Sequence, residues 1–332
     1  MKKQLLVLAI FVLASIANVT MSYAQCDDAL KPMAGKKYTY TITVNPIGGE
    51  FDWFVTTNPN ISATGIAVPN STGAAAADII VAGTGYNTPA SLVAKIDITW
   101  TAAAVAAANS ATPTKYYLVV KYTTPCSNNI KPWRVTPINL FQIAVENVDK
   151  TGASGSYLDI CRAVYVDATI GADDKVTYNY GENAMYLKVT ANNFTGSWTP
   201  KVDINVLKGT ITAPQAIKSI EWSLNTTFTG TSNFDLATGV ATTVVPDKGT
   251  DNVTTGTDEF VYIKVVITDG KFEGIAAQTL KFNLSATDIA GNGDVDVNAT
   301  CVAVAENDNV EQVLKARPAM TPTSPSPFLT AK

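Results

Sequence analysis

Hydrophobic and polar residues alternate along most of this chain, so that every second side chain is apolar. From Lys37 to Val44, tyrosine, isoleucine and valine occupy one face of an extended chain, and threonines occupy the other. The same alternation recurs in three further segments: Lys95–Trp100, Thr279–Leu284 and Val295–Cys301. A period of two is typical of a half-buried β-strand. Two longer apolar runs, Tyr116–Tyr122 and Phe260–Ile267, predict central strands that are buried on both faces.

Turn-forming residues separate these segments at short intervals, for example at Pro46–Gly49 and Gly291–Gly293. Helical patterns are nearly absent. We expect the alanine-rich segment Ala102–Ala108 to form a loop with at most two turns of helix. Short strands divided by frequent turns are typical of β-sandwiches. The sequence therefore predicts an all-β fold made of two immunoglobulin-like β-sandwich domains.

The first 24 residues have the three parts of a secretory signal peptide. Lys2–Lys3 is positively charged, Leu5–Ala17 is an unbroken apolar run, and Ser22–Ala24 places small residues at a cleavage site. The apolar run is shorter than the about 20 residues that span a bilayer, and no second run of that length follows. We therefore expect a secreted protein, in the periplasm, at the outer membrane or outside the cell, with no membrane-spanning segment in its mature chain.

A segment rich in Gly, Ser and Thr divides the mature chain near its middle, and we interpret residues 151–156 as a linker. This linker predicts one domain over residues 25–150 and a second over residues 157–314. Residues 315–332 are rich in proline and serine, which predicts an extended tail.

The low content of charged residues and the net charge indicate which classes of partner the protein could bind. Charged residues make up 16% of the chain, against about 25% in a typical globular protein. The net charge is -4, which offers no basic surface for nucleic acid or for anionic lipid. We therefore expect a protein or glycan partner, or self-assembly.

The four cysteines are Cys26, Cys126, Cys161 and Cys301. An even number of cysteines in an exported protein predicts disulfide bonds, and three pairings are open. We prefer Cys26–Cys126 with Cys161–Cys301, because these pairs place one bridge in each half of the chain. Lipidation of Cys26 is an alternative, although Gln25 and Tyr23 depart from the lipoprotein pattern. The chain has no CxxC pair and no histidine, so we expect no zinc site.

The absence of histidine also bears on catalysis. Serine and cysteine nucleophiles with a histidine base are excluded, and so are most zinc hydrolases. The remaining possibility is a hydrolase whose acid and base are both carboxylates. Such an enzyme needs a close pair of acidic residues in a cleft. The candidate acids are Glu50, Asp52, Glu221 and Glu259. We interpret these acids as surface charges and predict that the protein is not an enzyme.

Oxygen-bearing side chains are densest between Asp288 and Asn298. Hard oxygen ligands at close spacing suit Ca²⁺. The candidate ligands of a structural calcium ion are Asp288, Asn292, Asp294 and Asp296. The spacing does not follow the EF-hand pattern, and the alternative is a polar hairpin turn with Gly and Asn at positive φ. No other cofactor is expected.

Two resemblances bear on origin. The sequence Thr-Asp-Ile-Ala-Gly-Asn at Thr287–Asn292 resembles a turn of many bacterial immunoglobulin-like repeats. Tyr23–Gln25, Tyr40–Trp53, Phe272–Ile275 and Lys315–Pro318 are similar to segments of exported proteins of Bacteroidota, and the likeness covers most of the mature chain. Such proteins are often associated with type IX secretion or gliding-type surface machinery. The resemblance implies a cell-envelope or surface role and supplies no catalytic residues.

The sequence thus predicts a secreted, non-enzymatic structural or interaction module of a bacterial envelope or surface assembly, which would bind through strand edges or loop ends. The alternative is a carbohydrate-binding surface protein, which would need coplanar exposed aromatic rings. The candidate rings are Trp53, Trp133, Trp198, Tyr116 and Tyr186.

Overall fold

The structure is a computed structural model, and it describes most of the chain from residue 28 to residue 317. The described ranges are 28–45, 47–61, 78–82, 85–87, 90–91, 93–154, 159–162, 167–173, 175–194, 196–213, 215–246, 259–269, 276–296, 304 and 308–317. The predicted signal peptide, Cys26, Cys301 and the tail from residue 318 lie outside these ranges.

Strands dominate the described residues, which form eighteen strands in five sheets and two short helices. The predicted all-β class is confirmed. Two separate clusters of buried apolar side chains divide the sheets into a first and a second sandwich.

The first sandwich consists of two antiparallel sheets that enclose one hydrophobic core. Its strands are β1 (Lys37–Thr41), β2 (Glu50–Thr56), β3 (Ile79–Ala82), β4 (Ala90–Ser91), β5 (Lys95–Trp100), β6 (Tyr116–Thr123) and β7 (Asn128–Val135). One sheet has the order β1-β5-β3 and the other the order β4-β2-β6-β7. Alternate residues of facing strands fill the core, as Ile98 and Trp100 do from β5 and Trp53 and Val55 do from β2.

The second sandwich pairs a five-stranded sheet with a four-stranded sheet. The larger sheet holds β8 (Gln142–Val148), β12 (Glu182–Asn192), β14 (Ala216–Ser223), β15 (Ser232–Asn233) and β16 (Glu259–Thr268), in the order β15-β14-β16-β12-β8. The smaller sheet holds β9 (Asp159–Ile160), β13 (Trp198–Val202), β17 (Gln278–Asp288) and β18 (Asn309–Leu314), in the order β13-β17-β18-β9. The strands β10 (Asp167–Ile170) and β11 (Val176–Asn179) form a separate hairpin.

Strand β16 shows how alternation builds the second core. Val261, Ile263, Val265 and Ile267 are all buried in it. Of the intervening side chains, Phe260, Tyr262 and Lys264 are half-buried, and Val266 is buried. The sequence predicted burial on both faces of this run. That prediction is confirmed at Val266 and is wrong for the three half-buried positions, which no second layer of the described residues covers completely.

Two short helices connect strands, α1 (Ala102–Ala108) and α2 (Ile204–Thr210). Thr101 caps α1 by accepting a hydrogen bond from the backbone N–H of Ala104, and Asp203 caps α2 by accepting from those of Asn205 and Val206. The helix α1 matches the predicted two turns, whereas α2 was not predicted. No helix in the described part of the chain is long and apolar enough to cross a membrane.

The buried residues change from the first core to the second between Leu140 and Phe141. Strand β8 follows at once and pairs with β12, so its apolar residues Ile143 and Val145 pack in the second core. The sequence placed this change at the segment 151–156. The described residues of that segment form a tight turn, in which Asp149 Oδ1 accepts hydrogen bonds from the backbone of Thr151 and Ala153. The described glycine and serine residues of this segment therefore form a turn that follows β8, and they do not link two domains.

The two sandwiches contact each other through the turn that follows β17. Ala290 of this turn packs against Ala34, Ala102 and Val105 of the first sandwich. Asn139 Nδ2 donates to the carbonyl oxygen of Gly293 at 2.6 Å. The segment that resembles a turn of bacterial immunoglobulin-like repeats is thus the contact between the two sandwiches. We call it the junction turn, residues 288–293.

Candidate binding surfaces

A groove of about 410 Å³ opens along one side of the first sandwich. It lies between Ile42–Asn45, which continue from β1, and the hairpin of β6 and β7. Strands β1 and β7 are each an edge strand of their sheet. The groove therefore marks the side on which the two sheets separate, and we call it the edge groove.

Aliphatic and aromatic side chains form the floor of the edge groove, and hydroxyl and amide groups surround them. The floor includes Val44, Val120, Tyr122 and Ile130. Among the described residues that line the groove, Lys131 alone carries a charge. The groove can therefore bury apolar groups and exchange hydrogen bonds, and its described lining offers no carboxylate for acid–base catalysis.

Tyr122 is fixed in the groove by Gly49. The Tyr122 hydroxyl accepts a hydrogen bond from the backbone N–H of Gly49 at 2.9 Å. A Cβ atom at residue 49 would lie 2.6 Å from the Tyr122 ring and 2.5 Å from the carbonyl oxygen of Thr123. Only glycine fits here, and its small size holds the ring at the groove floor.

A second surface lies on the outer face of the five-stranded sheet, where four half-buried aromatic rings gather. They form two pairs, Tyr186 with Phe228 at 5.7 Å between ring centroids and Phe260 with Tyr262 at 5.6 Å. We call these four residues the aromatic face. Burial raises the pKa of the Tyr186 hydroxyl, and the nearby Glu221 carboxylate raises it further.

Two lysine–carboxylate pairs lie beside the rings of the aromatic face. In the strand register Lys188 lies opposite Tyr262, and its Nζ is 5.0 Å from the centroid of the Phe260 ring. The same Nζ is 2.9 Å from Glu146 Oε1. On the neighbouring row Lys264 lies 3.9 Å from Glu221 and 5.9 Å from the Phe228 centroid. Each lysine therefore joins a carboxylate and a ring.

Phe228 reaches the aromatic face from a loop after β14. Its backbone has φ +52°, which a bulky side chain rarely adopts. Asn225 Oδ1 accepts hydrogen bonds from Thr227 Oγ1 at 2.7 Å and from the Thr229 backbone at 3.4 Å. The loop is closed by these bonds, which place the Phe228 ring over Tyr186. Phe228 was not among the residues predicted from the sequence, because no local pattern connects its ring to a strand.

The predicted calcium ligands lie in and after the junction turn. Asp288 Oδ1 accepts from the backbone N–H groups of Ala290 and Asn292 at 3.0 and 2.8 Å, and its Oδ2 accepts from Asn292 Nδ2 at 2.8 Å. Asp294 Oδ1 accepts from the backbone of Ala286 at 2.5 Å, and burial raises the pKa of Asp294. Asp296 is half-buried beyond them.

These contacts favour a hydrogen-bonded turn, since both oxygens of Asp288 are engaged within it and Gly291 has φ +85°. In the described ranges, no group of three or more acidic, histidine or cysteine side chains is arranged to hold a metal ion. Calcium binding here stays a prediction.

The cysteines are only partly described. Cys126 and Cys161 are exposed and free, and no disulfide joins the residues that the structure describes. Their predicted partners, Cys26 and Cys301, lie outside the described ranges. The pairings Cys26–Cys126 and Cys161–Cys301 therefore stay predictions.

The five candidate sugar-stacking rings do not form one platform. Trp53, Trp198 and Tyr116 are fully buried. Trp133 stacks on Trp53 with ring centroids 6.0 Å apart, and Tyr186 lies on the other sandwich. Only Tyr186 belongs to a cluster of half-buried rings, and its neighbours there were not among the candidates.

The four candidate carboxylates are also dispersed. Glu50 and Asp52 lie on β2 of the first sandwich, and Asp52 pairs with Lys121 in the strand register. Glu221 and Glu259 lie in the second sandwich, on β14 and β16. Glu221 faces Lys264, whereas Glu259 is buried opposite Ala191 of the core. The structure does not bring the four together.

No family model and no curated protein matches this chain. Among solved structures, it is similar to BcpA, the major pilin subunit of Bacillus cereus, with a TM-score of 0.26, 8% identity and coverage of 85% of this chain and 69% of that one. It is also similar to the C-terminal domain of the Streptococcus agalactiae antigen I/II polypeptide BspA, with a TM-score of 0.29, 7% identity and coverage of 87% and 96%.

A third similar structure is the collagen-binding domain of the Erysipelothrix rhusiopathiae surface protein RspB, with a TM-score of 0.19, 8% identity and coverage of 87% and 86%. At such TM-scores and identities these likenesses assign the chain to no family.

Proposed function

We propose that this protein is an exported, non-enzymatic interaction module of a bacterial cell-envelope or surface assembly, and that its edge groove receives an extended segment of a partner protein. The observation that supports the proposal is the edge groove itself, where an apolar floor lies between two edge strands. The origin among exported proteins of Bacteroidota is part of the same proposal.

Edge strands suit an extended partner. Strand β7 pairs with β6 on one side, and its other side has no partner strand among the described elements. An incoming strand could pair with that side through backbone hydrogen bonds while its alternate side chains enter the groove. Pro132 removes one N–H donor from β7 but lies beyond the groove-lining residues 128–131. Beside the groove, the backbone N–H of Ile130 donates to Asn129 Oδ1 at 2.8 Å, and an incoming strand would have to replace this side-chain acceptor.

The size and lining of the groove match a peptide. Its volume falls near the lower end of the range of about 300–1,000 Å³ that is typical of ligand pockets. Asn128 and Asn129 at its rim can donate to and accept from a peptide backbone. Lys131 gives the rim a single positive charge, which favours a neutral or acidic segment.

Photocrosslinking from within the groove tests the proposal. A photoreactive amino acid in place of Asn129 is activated in intact cells that produce the protein, and crosslinked peptides are identified by mass spectrometry. We expect one or two envelope proteins, each crosslinked through a segment that alternates apolar and polar residues.

The matched variants are Val44→Arg, which fills the groove, and Ile80→Arg, which changes an exposed isoleucine on the opposite edge strand β3. Val44→Arg should abolish the crosslink and Ile80→Arg should preserve it. Crosslinks that survive Val44→Arg, or the absence of any envelope protein from the crosslinked product, would overturn the proposal.

A further inference from the structure

We propose that the aromatic face is a second binding site, which takes a neutral polysaccharide. This site is on the second sandwich and is independent of the edge groove on the first. The inference rests on the placement of four rings and two lysine–carboxylate pairs on the outer surface of one sheet.

Strand pairing sets the layout of the site. Across the sheet, Tyr186 lies opposite Lys264, and Lys264 lies opposite Glu221. On the next row Glu146 lies opposite Lys188, and Lys188 lies opposite Tyr262. Across the sheet, each of these two rows therefore joins one ring to one lysine–carboxylate pair, whereas along β16 the rings of Phe260 and Tyr262 follow each other directly. Neighbouring strands are about 4.8 Å apart, so each ring has a charged group within reach of a ligand that lies on it.

The four rings are not coplanar, because the two pairs are inclined at 55° and 74°, so they offer separate contacts along a ligand and not one flat platform. This mixture of rings and ion pairs suits a sugar better than a protein surface. The core of a protein–protein interface is depleted of charged residues, whereas every ring here has a lysine or glutamate as a neighbour. A pyranose ring presents C–H groups on a face and hydroxyl groups around its edge. The C–H groups are attracted to the negative face of an aromatic ring, and the hydroxyls need donors and acceptors beside it.

Charge balance favours a neutral ligand. Lys188 is paired with Glu146 at 2.9 Å, and Lys264 lies 3.9 Å from Glu221. Each positive charge on the face is thus offset by a carboxylate, so an acidic polysaccharide would have to displace these partners. A neutral chain can use the lysines as donors and the carboxylates as acceptors without breaking a pair.

Two loops meet above one part of the aromatic face. The turn at Gly152 packs against Tyr262, since a Cβ there would lie 2.8 Å from the Tyr262 ring. The same Cβ would contact the side chain of Thr226, which belongs to the loop that carries Phe228. The backbone of that loop is held at φ +52° at Phe228, and strained backbone is concentrated at ligand-contacting positions. The two loops together bound the site on the side of Tyr262 and Phe228.

Affinity gel electrophoresis of the purified chain tests the site. Gels contain glucomannan, xyloglucan, xylan or, as the acidic probe, polygalacturonate. We expect at least one neutral polysaccharide to retard the wild-type protein. Tyr262→Ala on the sheet and Phe228→Ala on the loop should each weaken the apparent affinity about tenfold, the loss of one ring contact.

Tyr117→Ala is the control, because Tyr117 is a half-buried ring on β6 of the first sandwich. It should leave retardation unchanged. Circular dichroism checks that each variant is folded, and Phe228→Ala keeps the test valid if the sheet variant fails to fold. The proposal is overturned if no neutral polysaccharide retards the wild type, if polygalacturonate alone does so, or if all variants bind equally.

Discussion

Arg162 and Asp269 form a buried ion pair in the second sandwich, with Nη1 of the arginine 2.6 Å from Oδ1 of the aspartate across a separation of 107 residues. Arg162 also donates from Nε to the carbonyl oxygen of Lys315, just after β18. The other oxygen of Asp269 lies 3.1 Å from Arg317 Nη2. One carboxylate thus connects the segment after β9, the end of β16 and the last described residues of the chain.

Replacement of this carboxylate should be costly. Asp269→Asn leaves two arginines beside a neutral group, and loss of one partner from a buried pair costs about 3–5 kcal/mol of unfolding free energy. Chemical denaturation measures the loss. Asp173→Asn is the control, because the ion pair of Asp173 with Lys175 is exposed to solvent and its loss should shift the midpoint far less. An unaltered midpoint for Asp269→Asn would show that the pair does not stabilise the fold.

Gly239→Ala should destabilise the second sandwich by more than about 1 kcal/mol, because alanine is strained at positive φ. Gly239 has φ +75°, and an added Cβ would overlap with the carbonyl oxygen of Val202 on β13. Gly230→Ala separates the two causes, since Gly230 has φ +70° and open space around its Cα. Thermal or urea unfolding should show that the Gly239→Ala variant is much less stable than the Gly230→Ala variant. Equal losses of stability would mean that the strained backbone alone, and not the close contact with Val202, causes the destabilisation.

Asp52 should make stability depend on pH. Burial raises the pKa of Asp52 above its ordinary value of 3.8, and Lys121 lowers it by less. The folded protein therefore binds this proton more tightly than the unfolded chain does. Stability then falls as the pH rises from 3.8 through the raised folded-state pKa. Asp52→Asn removes this fall, so the variant should gain stability relative to wild type between pH 4 and pH 7 by urea unfolding.

Asp97→Asn should show the opposite sign. A hydrogen bond from the Thr39 hydroxyl, with support from Lys37, lowers the pKa of Asp97 below 3.8. The ionised carboxylate therefore stabilises the fold above its ordinary pKa, and this contribution is lost as the pH falls through the lowered value. Relative to wild type, the Asp97→Asn variant should be less stable at pH 7, and the difference should be smaller near pH 3. If stability changed with pH in the same direction for the Asp52 and Asp97 variants, both assigned directions of the pKa shift would be contradicted.

Asn292→Ala should weaken the junction turn. Asn292 is buried and donates from Nδ2 to Asp288 Oδ2 at 2.8 Å and to the Ala102 carbonyl oxygen at 3.4 Å. Its removal leaves a buried acceptor without a donor, which costs about 1–3 kcal/mol. Small-angle scattering should show a wider range of arrangements of the two sandwiches. Asn283→Ala on the exposed side of β17 is the control, and equal scattering from both variants would contradict a role for Asn292 at the contact.

Disulfide mapping of the exported protein tests the predicted pairs. Cys126 lies in the exposed turn between β6 and β7, and Cys161 follows β9, so both thiols are accessible to a partner. Non-reduced peptide mapping should recover Cys26 linked to Cys126 and Cys161 linked to Cys301. Free thiols at Cys126 and Cys161 in protein purified from an oxidising compartment would contradict the pairing.

Local patterns in the sequence were enough to predict several strands. The alternation of Lys95–Trp100 coincides with β5, and the apolar run Phe260–Ile267 lies within β16. The helix α2 was missed because Ile204–Thr210 contains Asn, Gly and β-branched residues, which do not indicate a helix. Its one local signal was Asp203 as a helix cap. Alternation also predicted a strand from Val295, yet Val295 and Asp296 lie outside the strands.

The candidate surfaces depend on which strands become neighbours, and no local pattern contains that information. Lys188 and Tyr262 are brought side by side only by the pairing of β12 with β16. Phe228 joins them through a loop whose closure depends on the Asn225 side chain. The edge groove likewise needs β1 and β7 to be edge strands on the same side of the first sandwich. The sequence could indicate which face of its strand a residue occupies, but it could not indicate which residues of other strands lie beside it.

The place at which the chain passes between the two cores determines how it can be dissected. A fragment that begins after the Gly- and Ser-rich turn would lack β8 and leave the flank of β12 without its hydrogen-bonding partner. An uncovered strand of that length is a template for association with other chains. Recombinant halves should therefore be separated between Leu140 and Phe141, where each half keeps all of its own strands.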